Sequence, residues 1–277
     1  NCLAHFVVTI AVYGVASTLG LPWAAAAGAS LLFAVHPVNS EVANYVSSRS
    51  ESFAAAGMLF SLWAYLRWRI SGGVYLYVIA LAAFGLAQIS KATAIALPAM
   101  LVVAEVWLPG RRRLSRVVLQ LAPFVAFGGF YFVVVARLVA RSLGEPVRPV
   151  LQQIWTQLKA VPYYAHLLVV PTRLSVEHDF AVAQTPATPV VLLSLMLLLS
   201  AILIGLRWAR ARGRLLGSWS LLAVVPASIV PLHVLVNEHR LYLASVCAAI
   251  AVSVTVWPLL RRIRGLHLAG VLLVLIL

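Results

Sequence analysis

A chain of 277 residues that is 63% hydrophobic and only 10% charged has more apolar surface than a soluble domain of that size can bury. Its net charge of +14 does not make it a nucleic-acid binder, because the arginines lie in short stretches between apolar runs and form no continuous basic face. What remains is an all-α, polytopic membrane helix bundle.

A membrane-crossing helix needs about 20 mostly apolar residues. Ten such runs follow one another, the second of them short. They lie near Leu3–Leu19, Trp23–Val35, Ser52–Trp68, Val74–Ile89, Thr93–Leu108, Val117–Val139, Pro189–Leu206, Leu216–Val236 and Leu241–Leu259, with the last starting near Leu266. The whole of 1–277 reads as one transmembrane domain. It begins at Asn1 without a start Met or signal peptide and ends inside an apolar run, so it reads as a fragment cut at both ends. Cys2 and Cys247 lie in apolar sequence and predict no disulfide.

Charge sorts the gaps between runs into two kinds. Arg67 and Arg69, then Arg111, Arg112, Arg113 and Arg116, then Arg207, Arg210, Arg212 and Arg214, then Arg261, Arg262 and Arg264 occupy one set. Glu41, Glu51, Glu145, Glu177, Asp179 and Glu238 occupy the other, and only Glu105 sits near an arginine-rich end. Arginine-rich loops stay in the cytoplasm, so the acids face the periplasm or a lumen. A long external loop then covers about 140–187. Within it, Val161–Pro171 predicts an interfacial or re-entrant helix with Trp155, Tyr163 and Tyr164 at headgroup level. Lys91 and Lys159 are the two lysines among 21 basic residues, a usage that fits a GC-rich bacterium and so an inner-membrane location.

Four external constellations carry possible chemistry. From His36 through Glu51 the spacing predicts one amphipathic helix. Glu41, Asn44, Ser48 and Glu51 fall on a water-facing stripe, with Tyr45 and Arg49 on the other side. Such carboxylates can act as bases or orient sugar hydroxyls, and an arginine at the surface suits a phosphate. A solvated helix whose charges mark the interface fits the pattern too. Asn237-Glu238-His239-Arg240-Leu241-Tyr242 puts three ionisable residues in a row at a membrane boundary, where they must be hydrated or paired. It reads as a phosphate site or as a topological anchor. Lys91, alone in a short turn, needs a distant carboxylate or an anionic ligand. Glu177-His178-Asp179 combines groups that bind divalent cations, but without sustained ligand spacing. No metal ligand is assigned, and a divalent cation stays an open requirement. His5, His166, His233 and His267 stand alone in apolar sequence and read as core or interface histidines. There is no phosphate loop, His-Glu-x-x-His or Gly-x-Ser-x-Gly motif.

Three stretches resemble the transmembrane O-mannosyltransferases that carry tetratricopeptide repeats, and their bacterial relatives. Leu31 to Glu41, continuing to Ser48-Arg49-Ser50-Glu51, is similar to their segment Phe-Ala-x-His-Pro-x-x-x-Glu followed by Arg-x-Glu/Asp. Gln88-Ile89-Ser90-Lys91 with Ala96-Leu97-Pro98 resembles their Leu-Ser-Lys and Leu-Pro segment. Glu238-His239-Arg240-Leu241-Tyr242-Leu243-Ala244-Ser245 resembles their Glu-Arg-x-Leu-Tyr-Leu-Pro-Ser, with His239 and Ala244 as departures. Asn1 and His5 fit the start of their second span.

The resemblance implies a GT-C-like fold and an enzyme that moves a sugar, a hexose such as mannose, from a polyprenyl-phosphate donor to a protein or glycan acceptor. It implies a catalytic carboxylate in a first external loop, upstream of Asn1, and it allows tetratricopeptide repeats beyond Leu277. The donor phosphate falls to Arg240, Lys91 and Arg49. The sugar or acceptor pocket falls to His36, Asn39, Glu41, Glu51, Glu238 and Tyr242. The membrane lipid is a partner. The rival readings are a lipid or solute transporter or flippase, and a membrane anchor for an appended repeat domain.

Overall fold

The computed structural model describes residues 1–110, 112–142, 147–172, 174–229 and 234–261. Among them there are helices and no strands. The α-helices are α1 Cys2–Thr18, α2 Trp23–Val35, α3 Ser40–Asn44, α4 Arg49–Ser71, α5 Val74–Ser90, α6 Leu97–Trp107, α7 Leu114–Ser142, α8 Val150–Val169, α9 Pro189–Trp208, α10 Ala211–Ile229 and α11 Tyr242–Leu260. Short 3-10 turns lie at Pro37–Asn39, Val46–Ser48, Ala92–Ala96 and Glu238–Leu241. Local chemistry places several of the ends. Gly72, at φ 77°, closes α4 by returning its N–H to the Trp68 carbonyl. Proline in the first turn opens α6 and α9, where no N–H is needed.

The main core joins α1, α2, α4, α5, α6, α10 and α11 around Phe33, Tyr65, Phe84, Trp219 and Tyr242, with Phe124 reaching in from α7. Small residues let these backbones approach, as is usual where lipid supplies no hydrophobic drive between helices. A Cβ on Gly57 would come within 2.8 Å of the Ala83 carbonyl oxygen, so α4 and α5 touch almost backbone to backbone. Polar side chains add bonds between helices: Ser61 to the Ala80 carbonyl (2.7 Å), Ser30 to Thr9 (3.0 Å) and the Trp219 indole to Met100 (2.8 Å). A second, smaller core lies under α8, where Ala160, Tyr164 and Leu167 meet Val38, Val236, Leu241 and Ala244.

Among the described residues three helices, Leu114–Val135, Pro189–Trp208 and Glu238–Leu260, are long and apolar enough to cross a membrane, and the first two bury only 17% and 11% of their apolar windows. Their outward leucines, valines and phenylalanines make sense against lipid and not against water. The molecule has the character of an integral membrane protein.

The contacts sort the connections onto two ends. One end gathers Asn1, which donates to the Val42 and Tyr45 carbonyls, with Glu51 and Lys91, and with Glu41 and His239. The other gathers Gly20 with Arg212, Trp107 with Arg214, and Arg69 with Glu105 and Gly110. At this arginine-rich end Glu105 is buried. Its Oε1 accepts from Tyr65 (2.9 Å) and from Arg69 Nε (3.0 Å), and its Oε2 has no partner among the described residues. Arg112 lies over the Trp68 ring and donates to the Arg69 carbonyl (2.8 Å).

The structure corrects several sequence expectations. His36–Glu51 is not one helix. Tyr45 is extended (φ −89°, ψ 120°) and separates α3 from the turn that leads into α4. The eighth run is helical as far as Ile229 among the described residues, and 234–237 is irregular chain. Most of the Val161–Pro171 stretch belongs to α8, which runs from Val150 to Val169, and Tyr164 is buried in the second core. The expected final span, with Arg111, Glu145, Arg173, His233, Arg262, Arg264 and His267, lies outside the described residues.

Candidate functional site at the carboxylate-rich end

Here the broken 36–48 segment, α8, the irregular stretch after it and the Glu238–Leu241 turn converge. Glu41, on the one-turn helix α3, is buried. Its Oε1 meets His239 Nδ1 at 2.7 Å and accepts from Ser48 Oγ at 3.3 Å, while Oε2 accepts the His239 backbone N–H at 3.0 Å. Burial alone would raise the pKa of this carboxyl. The hydrogen bonds and charge of His239, helped by Ser48, outweigh it and hold the group below its ordinary range.

Glu238 is 2% exposed, accepts the Ser175 backbone N–H, and lies 3.3 Å from His178 Nε2. His178 Nδ1 meets the Tyr163 hydroxyl at 2.9 Å. The two carboxylates are within electrostatic reach of one another. The segment that carries Ser175 and His178 runs back along α8. Thr156 accepts the Ala183 N–H (2.9 Å), Lys159 donates to the Ala181 carbonyl, and the Lys159 ammonium sits over the Phe180 ring at 4.2 Å.

Arg240 is 5% exposed. Its guanidinium donates to the Leu235 carbonyl (2.9 Å), the Val234 carbonyl (2.9 Å) and, at 3.5 Å, Gln157 Oε1. No carboxylate among the described residues pairs with it. The Tyr164 hydroxyl beside it is buried and, among the described residues, makes no well-formed hydrogen bond. Burial raises its pKa against the pull of Arg240. Next to this pair opens an apolar cleft of about 340 Å³ between α8, α9 and α10. Gln157, Tyr164, Leu198, Leu221, Val224 and Leu241 are among its walls. Arg240 is not itself part of the lining; it lies behind Gln157, one of the few polar residues in an otherwise mostly aliphatic wall.

The remaining sequence candidates fall around this centre with other jobs. His36 accepts the Val38 N–H at Nδ1 (3.2 Å) and bonds the Leu168 carbonyl through Nε2 (3.1 Å), which fixes the neutral tautomer with its proton on Nε2. Asn39 is buried, donating to the Phe33 carbonyl (2.7 Å) and accepting from Ser245 (2.9 Å). The Tyr242 hydroxyl meets His5 Nδ1 at 2.7 Å, and the Glu51 carboxylate is within its electrostatic reach. Lys91 is paired with Glu51, so of its two expected partners the distant carboxylate is the one present. Arg49 is exposed and makes no side-chain hydrogen bond or ion pair among the described residues. The water-facing carboxylate stripe is thus overturned. Glu41 and Glu51 point into protein, because each has a cationic or histidine partner brought from far along the chain.

Sequence reasoning missed the roles of Gln157, Tyr163, Tyr164 and Ser175, and weighed His178 only as a metal ligand. Their partners lie 63 to 83 residues away for Ser175 and Gln157, beyond the reach of local spacing. No group of three or more His, Cys, Asp or Glu residues able to hold a metal occurs among the described residues. No protein-family model matches the sequence, and no characterised protein or solved structure matches it either.

Proposed function

We propose that the chain is the membrane domain of a glycosyltransferase that moves a sugar, a hexose such as mannose, from a polyprenyl-phosphate donor to a protein or glycan acceptor. The carboxylate-rich end is the working end, facing the periplasm of a bacterial inner membrane, with the arginine-rich end in the cytoplasm. One observation carries the reading: a buried guanidinium without a carboxylate partner among the described residues, set behind Gln157 in the wall of an apolar cleft between α8, α9 and α10. The isoprenoid chain lies in the cleft and its phosphate turns toward Arg240.

In the reaction the acceptor oxygen bonds to the sugar C1 as the bond from C1 to the phosphate oxygen breaks. The acceptor proton goes to a carboxylate acting as general base. Negative charge grows on the departing phosphate, and a fixed guanidinium lowers the barrier because it is already oriented when that charge appears. Arg240 replaces the earlier trio of Arg240, Lys91 and Arg49 as the phosphate residue, since Lys91 is held by Glu51 and Arg49 is out on the surface. Glu41, Glu238, His36, Asn39 and Tyr242 hold the frame around it.

The test is transfer from a polyprenyl-phosphate hexose by the full-length protein. Arg240→Gln lowers the rate by about 10²–10³, and a wild-type rate in that variant overturns the assignment. A transporter of lipid-linked substrates is the second reading, favoured by the burial of Glu41, Glu238 and Arg240 beside broken helices. Flipping of the labelled donor across a vesicle membrane without sugar transfer selects it.

A further inference from the structure

The arginine-rich end holds two kinds of arginine. Arg69 and Arg112 are used inside the fold, on Glu105, on backbone carbonyls and on the Trp68 ring. Arg207, Arg210 and Arg212 are exposed, and among the described residues their guanidinium groups make no hydrogen bond or ion pair, although Arg207 lies over the ring of its neighbour Trp208 at 5.6 Å. They flank the sharp connection where α9 ends at Trp208 and α10 begins at Ala211. Arg214, two residues on, is tied down by the Ala209 carbonyl (2.9 Å) and the Trp107 ring. That anchor keeps the connection tight and leaves the other three arginines on its outer side.

A second connection joins them. The Arg212 guanidinium lies over Gly20, where a Cβ would come within 2.8 Å of one of its nitrogens, and Gly20 has φ +83°. The left-handed backbone at residue 20 favours glycine, and the Arg212 side chain reaches over the turn between α1 and α2 at that point. Beyond that turn Trp23 is 76% exposed, and beside Arg207 Trp208 is 78% exposed. Leu203, Ile204 and Leu206 on the preceding turns of α9 are exposed too. An aliphatic face that runs into exposed indoles and then into unpaired guanidinium groups follows the polarity gradient from acyl chain to headgroup. An acidic protein or a nucleic acid would need no aliphatic approach, so these neighbours favour lipid.

We propose that Arg207, Arg210 and Arg212, with the Gly20 turn, form a binding site for the phosphate of an anionic glycerophospholipid. Trp208 and Trp23 sit at the headgroup boundary on either side. The site is separate from the sugar-transfer reading and does not depend on it. Each arginine near an anionic membrane surface contributes about fivefold in affinity, so the three together favour an anionic over a zwitterionic lipid by roughly a hundredfold at low salt.

The experiment places the full chain in bilayers that contain brominated phosphatidylglycerol or brominated phosphatidylcholine. Quenching at Trp208 is read as the difference between wild type and Trp208→Phe. Phosphatidylglycerol quenches at far lower mole fraction than phosphatidylcholine. The preference disappears in the triple variant R207Q/R210Q/R212Q and survives in the charge-preserving R207K/R210K/R212K. Equal quenching by the two lipids overturns the proposal, as does a preference that survives in the glutamine variant or is lost in the lysine variant. Full displacement of the lipid by millimolar inorganic phosphate, or by an acidic polypeptide, overturns it as well, since the site would then read charge without a membrane.

Discussion

The two ends of this bundle spend their charges in opposite ways. At the carboxylate-rich end Glu41, Glu51 and Glu238 are each matched to a histidine or lysine and taken out of solvent, and Arg240 is buried among carbonyls. At the other end most of the described arginines stay exposed, and the Arg69–Glu105 pair with Arg112, and Arg214 on Trp107, are the ones folded inward. Burying charge costs several kcal/mol per group before any pairing, so a fold that does this repeatedly at one end is holding specific geometry there. Exposed arginines need no such geometry. They serve orientation and contact with lipid.

The comparison breaks most sharply at its exception. Glu105→Ala leaves the Arg69 guanidinium buried beside an empty site, and we expect a loss of about 3–5 kcal/mol in unfolding free energy, the range for removing one partner of a buried pair. Denaturant unfolding in detergent checks it. A loss below 1 kcal/mol would make the pair as slight as a surface one.

Next in size is the acid response of the other end. The Glu41 carboxyl has its pKa lowered by folding. Its contribution to stability is therefore complete above the ordinary value of 4.5 and is lost as pH falls through the lower folded value. Unfolding midpoints of wild type and Glu41→Gln differ most above pH 4.5 and converge as the solution becomes more acidic. A gap that widens on acidification contradicts the assignment.

Tyr163→Phe removes the hydroxyl that meets His178 and costs about 1 kcal/mol, the net worth of an ordinary hydrogen bond. Arg113→Gln, at an exposed position of the arginine-rich end, stays within about 0.5 kcal/mol of wild type. Reversal of that order would erase the contrast between the ends.

How much of this was legible beforehand divides along the same line. Helix positions follow from local composition, so the segments 2–18, 74–90 and 189–208 stand close to where the apolar runs put them, with Gly72 and Pro189 acting as local stops and starts. The split of charge between the two ends was also readable, because it needs only the order of the runs. The break at Tyr45 was not. Glu41 is drawn to His239, 198 residues away, and no spacing within 36–51 records that. Lys91 and Glu51 were each visible, but their pairing over 40 residues was not. His178 looked like part of a loose acidic cluster because Glu238 arrives from 60 positions on.

The most direct test of the account is the affinity of the full-length protein for a polyprenyl phosphate without its sugar, measured in detergent for wild type, Arg240→Gln and Lys91→Gln. If the guanidinium behind the cleft holds the phosphate, Arg240→Gln weakens binding by about 10- to 100-fold, the worth of a charge-assisted hydrogen bond, and Lys91→Gln changes it far less. Equal affinity for wild type and Arg240→Gln, with the fold intact, would contradict the account.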